Sequence, residues 1–120
     1  MSKPSLKRSL KSAQINMRMM AIRMDGNVAS PVASGFDASQ IQEIVKNATG
    51  DYTIILKMPF EADNAVKAEC VAMCLEANRA VYMDASDHDR VTIKVTDLAG
   101  VAADSALIVH ILGQDFRFQH

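Results

Sequence analysis

The chain has 120 residues, 49% of them hydrophobic and 22% charged, with a formal net charge of −1. That is one domain's worth of chain, with enough apolar residues for a core. No apolar run approaches the roughly 18 residues of a membrane span, and no apolar segment follows the basic N-terminus as a secretory signal requires; the expectation is a protein made in the cytoplasm, without a membrane partner, that stays in its cell or leaves in a particle.

Charge is divided unevenly along the chain. Residues 1–24 hold six bases (Lys3, Lys7, Arg8, Lys11, Arg18 and Arg23) and no acid, which leaves seven bases against fourteen acids in the remainder. A basic arm on an acidic body suits an acidic partner: nucleic acid, an acidic protein surface or the body of another copy. Leu6, Leu10, Ala13 and Met17 recur at helical spacing, with Ser5 as a possible cap. So short a stripe needs an apolar groove to lie in. The reading is an arm over 1–16 and a folded domain over 17–120. Lys3, Leu6, Lys7, Arg8, Leu10, Lys11 and Met17 are the candidate partner-binding residues.

Period-two alternation then begins. Residues 17–24 predict a first strand, rich in methionine, whose adaptable side chain suits core or interface filling. Asp25-Gly26-Asn27 marks a turn, and residues 28–39 a loop. Residues 40–46 predict a second strand, with Ile41 and Val45 on one face and Ile44 on the other. Asn47-Ala48-Thr49-Gly50-Asp51 turns it into the clearest strand of the chain, giving a hairpin. There Tyr52, Ile54, Leu56, Met58 and Phe60 share one parity, Thr53, Ile55 and Lys57 the other, and Pro59 marks the end.

Residues 65–76 are ambiguous. Their Ala, Glu, Met and Leu content favours a helix, yet Val66, Ala68, Cys70, Ala72 and Cys74 also share a strand parity. Strands follow at 79–84 and 90–96, the latter with Val91, Ile93 and Val95 inward. The last strand, 105–112, is apolar on both parities: Leu107, Val109 and Ile111 on one, Ala106, Ile108, His110 and Leu112 on the other. Such a strand is central in a sandwich or lies at a subunit contact. Ile108, His110 and Leu112, with Phe116 and Phe118 beyond, are the candidate subunit-interface residues. About seven short strands separated by turn signals predict an all-β chain, an antiparallel β-sandwich of jelly-roll-like type with a basic N-terminal arm.

Catalytic chemistry finds little footing. Cys70 and Cys74 lack the partners of a zinc site. On one strand their Cα atoms would stand about 13 Å apart, too far for a mutual disulfide. Asp84, Asp87 and Asp89 surround His88, but the stretch lacks the glycine of a calcium loop. His110 has no nucleophile motif beside it. There is no phosphate-binding glycine loop, and with no Trp and 5% aromatic residues the stacking platform of a single-strand nucleic-acid binder is missing. We therefore expect no catalytic residue, no metal and no cofactor.

Several stretches taken together resemble a small β-sandwich module of tailed-bacteriophage virion proteins. They are Gly35-Phe36, Thr49-Gly50-Asp51-Tyr52-Thr53-Ile54, Met58-Pro59-Phe60, Val91-Thr92-Ile93-Lys94-Val95, Asp97, Gly100, Ala103-Asp104-Ser105 and Val109-His110-Ile111-Leu112-Gly113. The resemblance covers about residues 17–113, and residues 65–76 depart from it. It implies strand rather than helix over 66–74, a homotrimer, no catalytic residue, and residence in a virion. The expected function is a non-enzymatic head decoration or cement protein, anchored by its arm on another virion protein such as the major capsid protein. One alternative is a tail-fibre or receptor-binding module that attaches to the host surface. Another is an internal virion protein that binds nucleic acid through residues 3–23, which the missing stacking platform disfavours.

Overall fold

The computed structural model describes residues 17–60 and 68–114. Seven strands form two antiparallel sheets: β1 (Met17–Asp25), β2 (Ile41–Ala48), β3 (Asp51–Leu56), β4 (Glu69–Cys74), β5 (Arg79–Ser86), β6 (Arg90–Asp97) and β7 (Ala106–Gln114). One sheet has the order β1-β7-β4 and the other β2-β3-β6-β5. The fold is the all-β sandwich that the alternation predicts. The first strand pairs with the last, and the chain crosses between sheets four times, after β1, β3, β4 and β6. Among the described residues the helical content is one 3-10 turn, Ala38–Gln40.

The inner faces meet in a single core. Met20, Ile22 and Met24 come from β1, Tyr52, Ile54 and Leu56 from β3, Val91, Ile93 and Val95 from β6, and Leu107, Val109 and Ile111 from β7. Every one of these sets is spaced by two, as alternate pleat positions require. Ile41, Ile44, Phe60 and Ala68 close the core's margins.

Three local expectations are corrected. Ile41 and Ile44, three apart, both face inward, while Val45 is exposed. A register shift between Ile41 and Glu43 inserts the extra residue that reverses the parity. Met58 is exposed as well, because β3 ends at Leu56 and the chain leaves the sheet before Pro59; only Phe60 returns to the core. The segment 28–39 is the expected loop, tied to β1 where Ser34 and Arg23 exchange backbone hydrogen bonds of 2.8 Å each. Finally, Met17 is the first residue of β1, opposite Gln114, so its backbone belongs to the sandwich and not to an arm helix.

The ambiguous segment is a strand where it is described. Glu69–Cys74 pairs antiparallel with β7 from Glu69↔Leu112 to Cys74↔Leu107. Cys70, Ala72 and Cys74 pack on the core, and Val71 and Met73 point away from it. An edge position beside an apolar central strand overrides the segment's helical propensity, since ladder bonds and burial outweigh tenths of a kcal/mol per residue.

Candidate functional site

The two outer faces of the sandwich differ in chemistry. The four-stranded sheet presents a mixed surface, in which Thr53, Thr92, Lys94 and Thr96 stand beside Val45, Ile55 and Tyr82. The three-stranded sheet is more uniformly apolar. Its central strand sends Ile108, His110 and Leu112 outward, because Leu107, Val109 and Ile111 take the inward parity. The register sets Met19 opposite Leu112, Ala21 opposite His110 and Arg23 opposite Ile108 on the β1 side. On the β4 side it sets Glu69, Val71 and Met73 opposite Leu112, His110 and Ile108. Met19, Val71 and Met73 are 60%, 66% and 57% exposed. An exposed apolar patch built on a rigid sheet is the mark of an interaction surface.

A loop extends this face beyond β1. Asp37 Oδ2 accepts the Ala21 amide at 2.7 Å, and the Asp37 amide donates to the Ala21 carbonyl at 3.2 Å. This clamp holds Phe36 at the rim, 98% exposed. Between Phe36 and the sheet lies a depression of about 220 Å³ lined by Ala21, Ile22, Arg23, Gly35, Ile108 and His110.

Of the predicted interface residues, Ile108, His110 and Leu112 thus share one outer face. His110 is exposed at its centre, not a core histidine. Phe116 and Phe118 lie outside the described residues, as do Lys3, Leu6, Lys7, Arg8, Leu10 and Lys11. Sequence reasoning missed Met19, Val71 and Met73 as members of the face. The signal for Val71 and Met73 was present, in a strand parity of 65–76 opposite to that of the cysteines.

A second constellation sits at one end of the sandwich. Asp104 Oδ1 accepts the Gly50 amide at 2.8 Å and lies 2.8 Å from the Tyr52 hydroxyl; Oδ2 pairs with Lys46 Nζ at 2.8 Å. The same hydroxyl lies 2.9 Å from the Gly26 carbonyl, and Arg79 Nε donates to the Asp104 carbonyl at 3.0 Å. Burial works against the charge on Asp104. The Lys46 ammonium, the Gly50 amide and the Tyr52 hydroxyl outweigh it and hold the carboxyl below the usual aspartate range. Burial first, then the hydrogen bond and charge of Asp104, push the Tyr52 hydroxyl well above its ordinary value. All of its groups are engaged with one another, which is the arrangement of a structural staple.

The remaining candidates are local. His88 Nδ1 lies 2.9 Å from Asp87 Oδ1, and Asp89 pairs with Arg90 at 3.0 Å. Asp84 lies 3.6 Å from Lys94. Asp87, His88 and Asp89 bring three ligand atoms within 4.8 Å, on a turn where the charges already have neighbours. Cys70 and Cys74 are free thiols, both partly buried; burial pushes Cys70 up to about 11. Arg18 stacks over the Phe60 ring at 4.5 Å and donates to the Met58 carbonyl. Among the described residues, no helix is long and apolar enough to cross a membrane.

No protein-family model, curated protein or solved structure matches the chain.

Proposed function

We propose that this is a non-enzymatic structural protein that assembles through the outer face of the β1-β7-β4 sheet. The setting is the one the sequence resemblance implies: a tailed-phage particle, in which the protein decorates or cements the head. The observation that carries the reading is the apolar outer face, with Met19, Val71 and Met73 more than half exposed around the centre of β7. A sandwich that functioned alone would bear the cost of exposing that surface without return. The basic segment 1–16 supplies the attachment to another virion protein, such as the major capsid protein, through charge and the Leu6–Leu10–Ala13 stripe.

The test is to locate the protein in purified particles by labelling, and to compare loading by the full chain and by a chain lacking residues 1–16. The expected result is label on the head, with the truncated protein folded and self-associating but loaded to a lower occupancy. Full occupancy by the truncated protein would remove the anchoring role. Absence of label from particles would remove the virion setting.

The receptor-binding reading draws on a separate feature, Phe36 beside its depression, a place where a glycan ring or an apolar side chain could rest. Label at the tail, with attachment to host cells lost in Phe36→Ser, would favour it. The nucleic-acid reading draws on residues 3–23. In the described part of that stretch, Arg18 is engaged with Phe60 and Met58, and Arg23 stands on the apolar face.

A further inference from the structure

The outer face of β1-β7-β4 is a three-by-three array. One row reads Met19, Leu112, Glu69; the next Ala21, His110, Val71; the third Arg23, Ile108, Met73. Six of the nine positions are apolar and His110 is the centre. The two charges, Arg23 and Glu69, stand at opposite corners, and neither has an ion-pair partner among the described residues.

From this pattern, and resting on the reading of this face as the assembly surface, we infer that its occupant is a second copy of the same chain, packed face to face about a two-fold axis. The axis lies in the plane of contact and runs close to the other diagonal, from Met19 to Met73. Rotation about it exchanges the charged corners. Arg23 of each copy then meets Glu69 of the other, twice, about 17 Å apart by ordinary strand spacings. Met19, His110 and Met73 meet their own counterparts along the axis, Leu112 lies over Ala21, and Ile108 lies over Val71.

Such self-complementarity is what an isologous contact requires. An axis parallel to the strands fails the test, because it sets Arg23 over Met73 and Glu69 over Met19, leaving both charges against apolar surface. A foreign partner would have to bring an acid and a base at the same separation and in the same sense. Strands of the two copies cross steeply, within the orthogonal class of sheet packing. The array is small against the roughly 800 Å² per partner of a standard interface, so the expected association is weak and concentration-dependent. The threefold expectation rests on the resemblance alone, whereas the arrangement of these nine side chains is that of a pair.

The experiment is sedimentation equilibrium of the full chain up to about 200 μM, with Arg23→Glu, Glu69→Arg and the double exchange. All three changes lie on exposed positions, and denaturant midpoints check that folding is intact. The expected result is a dimer of the wild type, about tenfold or greater weakening in each single variant, where two repulsive pairs replace two attractive ones, and recovery to within about threefold in the double exchange. A trimer, or a dimer indifferent to both single reversals, overturns the two-fold arrangement. A monomer at the highest concentration overturns it as well. Val71→Lys, read by particle loading, separates that failure from failure of the underlying reading: unchanged loading would show that this face is not the assembly surface at all.

Discussion

The Tyr52 hydroxyl lies 2.8 Å from Asp104 Oδ1, although 52 residues separate them in the chain. A hydroxyl has one proton, and here two acceptors stand within reach, the carboxylate and the Gly26 carbonyl at 2.9 Å. The charged acceptor makes the stronger bond. The pair therefore ties β3 to the segment leading into β7, and so one sheet to the other, at the end of the sandwich where the Asp25–Asn27 turn also arrives.

Removing either partner should be costly and the two costs should not add. Tyr52→Phe leaves a partly buried carboxylate oxygen short of a donor, and Asp104→Asn removes the charge that Lys46 and Gly50 address. Each is expected to destabilise by about 1–3 kcal/mol. The double variant should lose less than the two single losses together, because the charge that Asp104→Asn removes is what strengthens the bond that Tyr52→Phe deletes. Urea unfolding monitored by far-UV circular dichroism measures all three.

The same aspartate gives an acid dependence of known sign. Its folded pKa lies below the ordinary value, so its stabilisation is complete above about pH 5 and is lost as pH falls through about 4 towards the folded pKa. In that window the unfolded chain takes up a proton that the folded chain refuses. Asp104→Asn should flatten the pH dependence of the urea midpoint there without abolishing it. Asp25, Glu76 and Asp89 are also held below their usual ranges, chiefly by hydrogen bonds from Asn27, Asn27 and Arg90 respectively. An unchanged slope in the variant would show that Asp104 carries none of the effect.

Gly50 should resist substitution. It turns the β2–β3 hairpin at φ +67°, and a Cβ there would lie 2.3 Å from the Val95 carbonyl oxygen and 2.7 Å from that of Ala103. Left-handed backbone alone costs an L-residue about 1–2 kcal/mol, and both obstacles are backbone atoms that cannot swing aside. Gly50→Ala is expected to lose more than 2 kcal/mol or so. Gly100, at φ +84° with no atom within 4 Å of the same position, should show the conformational cost alone.

The thiols should be slow and separate. With Cys70 pushed up to about 11 by burial, its thiolate fraction at pH 8 falls roughly 100-fold below that of a free cysteine. Alkylation of the native protein should be slower than that of the unfolded chain by about that factor. Mass spectrometry of unreduced protein should show no Cys70–Cys74 link. Rapid native alkylation of Cys70 would mean that β4 opens readily from β7.

The parts of the fold that were legible from sequence are those where one face is buried and the other wet. In β6 and β3 the alternation Val91, Ile93, Val95 and Tyr52, Ile54, Leu56 marks the inner face without help. Where a register shift intervenes, as at Ile41 and Ile44, parity counting fails, because the extra residue of a bulge leaves no mark in the hydrophobic pattern. Glu69–Cys74 was ambiguous because its outward residues are apolar too, which erases the contrast that distinguishes a strand from a helix. The interaction face was half legible for a related reason: β7 is apolar on both parities and announces a second buried surface, but which strands flank it is a matter of long-range pairing. The staple was not recognised as such. Gly50-Asp51-Tyr52 and Asp104-Ser105 stood out separately, and nothing in the sequence says that the Gly50 amide and the Tyr52 hydroxyl converge on one carboxylate.

The pairing of Met17 with Gln114 places the point where residue 16 joins the sandwich one interstrand spacing, about 5 Å, from the point where residue 115 leaves it. The two ends of the described sandwich therefore lie at the same pole. The same adjacency makes the chain a candidate for circular permutation. A short linker could join residues 114 and 17, and new termini could open at the Leu98–Gly100 turn, where Leu98, Ala99 and Gly100 are exposed. Such a rearranged chain would keep every strand pairing of both sheets while moving its ends to a different part of the molecule, which would allow the sandwich to be studied apart from the segments that ordinarily flank it.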